Sequence, residues 1–91
     1  MRLFIEARNE RYEHHLRQGV TVIGRDPSCD IAFPDPSLSR RHLECALDAM
    51  ELVVRDLDSK NGLYLGPQRV RQVRVRPGVR LRAGNVWSCC T

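Results

Sequence analysis

Apolar and polar positions alternate with a period of two along most of this chain, in short runs cut by Gly, Pro, Asn and Asp. That rhythm predicts an all-β protein of the sandwich or barrel kind. The candidate strands are Arg2 to Ala7, Arg11 to Leu16, Val20 to Gly24, Asp30 to Phe33, His42 to Asp48, Glu51 to Asp56, Leu63 to Leu65, Gln72 to Arg76, Val79 to Arg82 and Asn85 to Cys90. Late in the chain the pattern is cleanest: Val73 and Val75 point inward against Arg74 and Arg76, and Val79 and Leu81 repeat this against Arg80 and Arg82. Pro77-Gly78 supplies the turn between the two runs.

One segment fits two periods. Leu43, Ala46, Leu47 and Met50 have helical spacing behind Ser39 as a possible N-cap. Leu43, Cys45 and Leu47 equally form one face of a strand, with Asp48-Ala49-Met50 as a hairpin loop. Periodicity leaves both open.

At 91 residues the chain has the size of one domain, and the span 1–91 is read as one, with no repeat, low-complexity tract or linker. The apolar fraction of 42% suffices for one modest core, built mainly of aliphatic residues because aromatics make up 5%. The net charge of +4 comes almost wholly from arginine, Lys60 being the one lysine among fifteen basic residues. Arginine offers a planar fork to phosphate or carboxylate, so anionic partners are the natural class. The start, Met1-Arg2-Leu3-Phe4-Ile5-Glu6, meets charge too early for a signal peptide, and no stretch is long and apolar enough for a membrane helix. Cys29, Cys45, Cys89 and Cys90 lack metal-site spacing, and adjacent Cys89 and Cys90 are poor disulfide partners. The expectation is a cytoplasmic, reduced protein without metal or cofactor.

Three turn-rich segments hold the chemistry: Gly24-Arg25, Asp35-Pro36-Ser37-Leu38-Ser39-Arg40-Arg41-His42 and Asp58-Ser59-Lys60-Asn61-Gly62. A phosphoryl group carries about −1.5 to −2 charges and three acceptor oxygens, and it calls for converging donors. Arg25 can present two parallel N–H groups to it, and the Ser39 hydroxyl adds a neutral donor. The Asn61 carboxamide both donates and accepts, which suits a peptide backbone. Taken singly, each feature has a plainer origin: Asn61-Gly62 is a hairpin turn signal, and Arg25 and Arg40-Arg41 suit solvated turns.

Together and in this order, the residues resemble the forkhead-associated (FHA) domain. Gly24-Arg25 is similar to that family's Gly-Arg pair, Ser39-Arg40-Arg41-His42 to its Ser-Arg-x-His, and Asp56 to Gly62 to its acidic, serine-containing run ending in Asn-Gly. The resemblance covers almost the whole chain. It implies a two-sheet β-sandwich of mostly antiparallel strands with binding loops at one end, and a non-enzymatic module that binds phosphothreonine peptides. By resemblance, Arg25, Ser39, Arg40 and Lys60 take the phosphate, Asn61 the peptide backbone, and Gly24, His42 and Gly62 support the loops. The implied partner is a protein phosphorylated by a Ser/Thr kinase, in signalling or assembly. Two departures are Asp58, where the family often has glycine, and Leu63, where threonine is common.

Two other functions have some support in the residues. A Ser39–His42 nucleophile and base pair has no elbow motif and no orienting third residue, so catalysis is not expected. His14-His15 points to opposite strand faces and does not make a metal site. The stronger rival is an arginine surface of Arg69, Arg71, Arg74, Arg76, Arg80 and Arg82, with no acidic residue from Gly66 to Thr91. It could attract an acidic protein or nucleic acid, although the scarcity of aromatics speaks against single-strand recognition.

Overall fold

The alternating runs become strands throughout, and no helix forms. The computed structural model describes residues 1–91. Its strands are β1 (Arg2–Ala7), β2 (Glu10–His15), β3 (Gly19–Gly24), β4 (Ile31–Ala32), β5 (Leu43–Asp48), β6 (Glu51–Asp56), β7 (Leu63–Leu65), β8 (Gln68–Val70), β9 (Gln72–Val75), β10 (Arg80–Ala83) and β11 (Val86–Cys90). One sheet runs β2-β1-β11-β10-β7-β8 and the other β4-β3-β5-β6-β9. All pairs are antiparallel except β3 with β4. The first and last long strands, β1 and β11, lie side by side in the middle of the first sheet.

Register explains the core. Cys45 stands opposite Val54, and Leu47 opposite Leu52, which in turn faces Val75. From the other sheet come Leu3, Ile5, Leu63, Leu81 and Val86, and the joint cluster holds 18 buried residues. Each fully buried Leu or Ile contributes about 1.5–3 kcal/mol of transfer free energy. The four cysteines are free thiols. Burial pushes the Cys45 thiol up to about 12, so this group packs as a small neutral hydrophobe.

The ambiguous segment is a strand, because β5 is the centre of its sheet and a helix there would leave β3 and β6 without a shared partner. Ala49-Met50 turns the chain, with Ala49 in the left-handed region at φ 54°. The Gln18 carboxamide clamps this turn, its Nε2 donating to Ala49 O and its Oε1 accepting from Ala49 N, both at 2.8 Å.

Two local expectations are corrected, and a third is refined. Residues Gln68–Val70 form an edge strand that was not expected, since Pro67, Gln68 and Arg69 do not read as a half-buried strand. The expected strand over Asp30 to Phe33 shrinks to Ile31–Ala32, because the Asp30 carboxylate is used to accept from Val22 N at 2.8 Å. Pro77-Gly78 forms the expected turn. It carries the chain from β9 in one sheet to β10 in the other, with Gly78 at φ 89° donating its N–H to Cys90 O. The late arginines are dispersed as a result: Arg74 lies on one sheet, Arg80 and Arg82 on the other, and Arg76 in the crossing.

Candidate functional site

The loops between β3 and β4, β4 and β5, and β6 and β7 meet at one end of the sandwich. Gly24 ends β3 where the next loop crosses it so closely that an added Cβ would lie 2.1 Å from Arg40 O. Only glycine admits that approach. Beside it, Arg25 N donates to Ser39 O and Asp26 N to Arg40 O, at 3.0 and 3.1 Å, so the two loops run together as a short ladder.

That ladder sets the donors. Arg25 is exposed and is anchored by Nε donating to Leu38 O at 3.1 Å, which leaves both Nη groups without a protein partner. Ser39 Oγ accepts from Lys60 N at 3.0 Å, and its own proton remains free to donate outward. Arg40, Arg41 and Lys60 are exposed and form no ion pair. The Asn61 Nδ2 donates to Ser37 O at 2.8 Å, leaving its carbonyl oxygen and second N–H available. One carboxylate, Asp26, faces this group. Hydrogen bonds from the Ser28 backbone and hydroxyl hold its carboxyl below the ordinary 3.8, and the nearby charges of Arg40 and Arg25 add to the effect.

His42, fully buried, joins the β4–β5 and β6–β7 loops to the end of β3. Its Nδ1 accepts from Ser39 N at 3.0 Å, so the proton sits on Nε2, which donates to Gly62 O at 2.9 Å. Its backbone N donates to Ile23 O, and its O accepts from Leu57 N. The ring therefore bonds to the Ser39 backbone and not to its hydroxyl, and the nucleophile–base pair considered above is not formed. Gly62, at φ 79°, is the left-handed residue that lets the third loop enter β7.

Sequence reasoning gave no role to several residues that hold this end together. Ser37 Oγ donates to Asp35 Oδ1 at 2.6 Å and accepts from Asn85 N at 2.8 Å, which ties the site to the β10–β11 turn. Ser59, also buried, donates to Asp56 and accepts from Gly62 N. The Asp-x-Ser spacing of residues 35–37 was the available signal, since it forms a local turn in which Asp35 also accepts from Ser37 N at 2.9 Å.

The Asp35 carboxylate is buried, yet the hydrogen bond from the Ser37 hydroxyl keeps its carboxyl below the ordinary 3.8, helped by the Ser37 backbone and by Arg8 at 3.7 Å. A native value below the unfolded one stabilises the fold fully above the unfolded value, and this contribution fades as pH falls through the native value. Asp35→Asn is therefore expected to cost about 1 kcal/mol near neutral pH, with a smaller gap from wild type at an acidic pH below the native value of this carboxyl, where the wild-type group is protonated as well. Urea midpoints at the two pH values check this, and an equal gap at both would contradict it.

The comparisons with known proteins bear on this geometry. The FHA domain family model matches residues 21–84, which spans all three loops. The chain belongs to the FHA family. FhaA of Mycobacterium tuberculosis, an FHA domain-containing protein, is 33% identical over 72 residues, covering 79% of this chain and 14% of FhaA. The glycogen accumulation regulator GarA of the same species is 36% identical over 69 residues, covering 76% of this chain and 43% of GarA. This FHA chain thus spans less than half the length of either relative. The FhaA FHA domain, solved in complex with the intracellular domain of Rv3910, superposes with a TM-score of 0.85 at 27% identity, covering 96% of this chain and 97% of that one. A structure from work on phosphothreonine-dependent FHA domain interactions gives 0.82 at 27% identity, covering 98% and 94%.

Within the FHA pattern, the departure at Asp58 has a visible cause. Residue 58 sits at φ 56°, the left-handed conformation that glycine adopts freely and aspartate tolerates better than most. Aspartate thus holds here a backbone conformation that glycine would adopt freely.

Proposed function

We propose that this FHA domain binds phosphothreonine peptides through Arg25, Ser39, Arg40 and Lys60 on the phosphate and Asn61 on the peptide backbone. The observation that carries the proposal is the set of unpartnered donors, the Arg25 Nη groups and the Ser39 hydroxyl, held side by side by backbone bonds. Such donors are pre-organised, and charge-assisted bonds to phosphate are roughly twice as strong as neutral ones. Gly24, His42 and Gly62 fix the loops and touch no ligand. The span 1–91 acts as one reader module, without catalysis, recruiting a protein phosphorylated by a Ser/Thr kinase as an adaptor in signalling or assembly. We place it in the cytoplasm, where its four free thiols stay reduced.

Calorimetric titration with matched phosphothreonine, phosphoserine and unphosphorylated peptide pools tests the proposal. Saturable binding is expected for phosphothreonine, weaker by about fourfold for phosphoserine through the loss of one buried methyl worth about 0.8 kcal/mol, and absent without phosphate. Equal binding of the unphosphorylated pool would overturn it. The rival arginine surface loses ground, because its members divide between the two sheets.

A further inference from the structure

Directly opposed residues of an antiparallel pair share a face, so the register draws one row across the outer surface of the first sheet: Arg11, Glu6, Trp87, Arg82, Tyr64 and Arg69. The row brings arginines and aromatics together from distant parts of the chain. The Arg82 guanidinium lies 4.4 Å above the Tyr64 ring centre, and that of Arg80 lies 4.6 Å above Trp87. At one end of the row the charge is balanced, since Glu6 lies 3.9 Å from both Arg11 and Arg80.

At the other end it is not. Arg69 and Arg82 flank Tyr64, and neither has a carboxylate within ion-pair distance. Each guanidinium is tethered to backbone beside the phosphate loops. Arg69 Nη2 donates to Ser59 O at 3.4 Å, and Arg82 Nη1 donates to Gly84 O at 2.8 Å. Gly84 in turn packs against Ser37, the residue that accepts from Asn61. Two cations without an ion-pair partner thus stand beside the loops that carry Ser37 and Lys60, on one sheet face, with Asp56 and Asp58 lining the same cavity as Arg69.

We propose that Arg69 and Arg82, on either side of Tyr64, form an anionic subsite that takes an acidic segment of the same polypeptide whose phosphothreonine occupies the loops. This deepens the function proposed above and rests on it. Polypeptide is favoured over nucleic acid because one face of each of Tyr64 and Trp87 is already taken by a guanidinium, whereas single strands need open rings for their bases. Carboxylates can pair with the stacked guanidiniums from outside without displacing them.

The test compares a short phosphothreonine peptide with the same peptide extended by a run of glutamates at its N-terminal or C-terminal side. The readout is the ratio of extended to short affinity within each protein, for wild type and for the Arg69→Gln/Arg82→Gln variant, whose folding is checked by thermal melting. One of the two extensions is expected to raise wild-type affinity about fivefold at moderate salt, with the gain lost in the variant and at high salt. Equal ratios in the two proteins overturn the proposal. If the short peptide fails to bind wild type, the phosphothreonine function falls, and an unphosphorylated glutamate-rich peptide then decides on the subsite alone: no difference between the two proteins rejects it. Arginine-dependent binding of oligothymidylate stronger than that of the glutamate peptide would assign the face to nucleic acid instead.

Discussion

Arg25→Ala is expected to lower phosphothreonine-peptide affinity by about a hundredfold or more, beyond calorimetric detection for a module of modest affinity, and to leave the domain folded. Two charge-assisted hydrogen bonds are lost, each worth about 1.5–3 kcal/mol, and the only internal bond removed is the one from Nε to Leu38 O. Ser39→Ala has a smaller effect of about tenfold, combining one lost donor with a Lys60 N–H left without its acceptor. Arg25→Lys separates charge from shape. An ammonium keeps the Coulomb attraction but not the fork, so its affinity falls between those of wild type and alanine. Titration of the three variants with one peptide, alongside their melting curves, checks the order. Wild-type affinity in both alanine variants would exclude this end of the sandwich as the site.

The second large effect is on stability. His42→Ala is expected to cost about 3 kcal/mol or more, since it opens a cavity at a fully buried position and strands Ser39 N and Gly62 O without partners. Peptide binding should weaken as well, although His42 faces no ligand, because the two loops it joins carry Ser39 on one side and Lys60 and Asn61 on the other. Urea unfolding gives the first quantity, and titration of the still-folded variant gives the second. A variant with unchanged affinity would show that the loops hold their places without the ring.

Much of this was readable from the chain. The sandwich followed from alternation, because residues such as Val73, Val75 and Leu81 have no other way to leave water. The segment at Leu43 could not be decided locally, since the choice depended on β3 and β6, which lie far along the chain from each other. Pro77-Gly78 was legible as a turn, but not as a crossing between sheets. A turn signal states that the chain bends, not which sheet receives it. The three loops were recognisable because their residues lie close together in sequence, yet Ser37, whose partners reach as far as Asn85, and the row from Arg82 to Arg69 exist only once the strands are in register.

The pairing of β1 with β11 also governs the order in which the molecule can assemble. The second sheet draws its strands from residues 19–75 and can pair as those residues appear, whereas the middle of the first sheet requires contact between the first and last strands. Closing the largest loop available to the chain is slow and brings its return only at the end. This topology predicts that the loop end of the second sheet takes shape around Ser39 and His42 before its tether from Ser37 to Asn85 exists. Competence to bind would then be completed by the same late event that seals the sandwich, and a half-folded chain is expected not to capture partners.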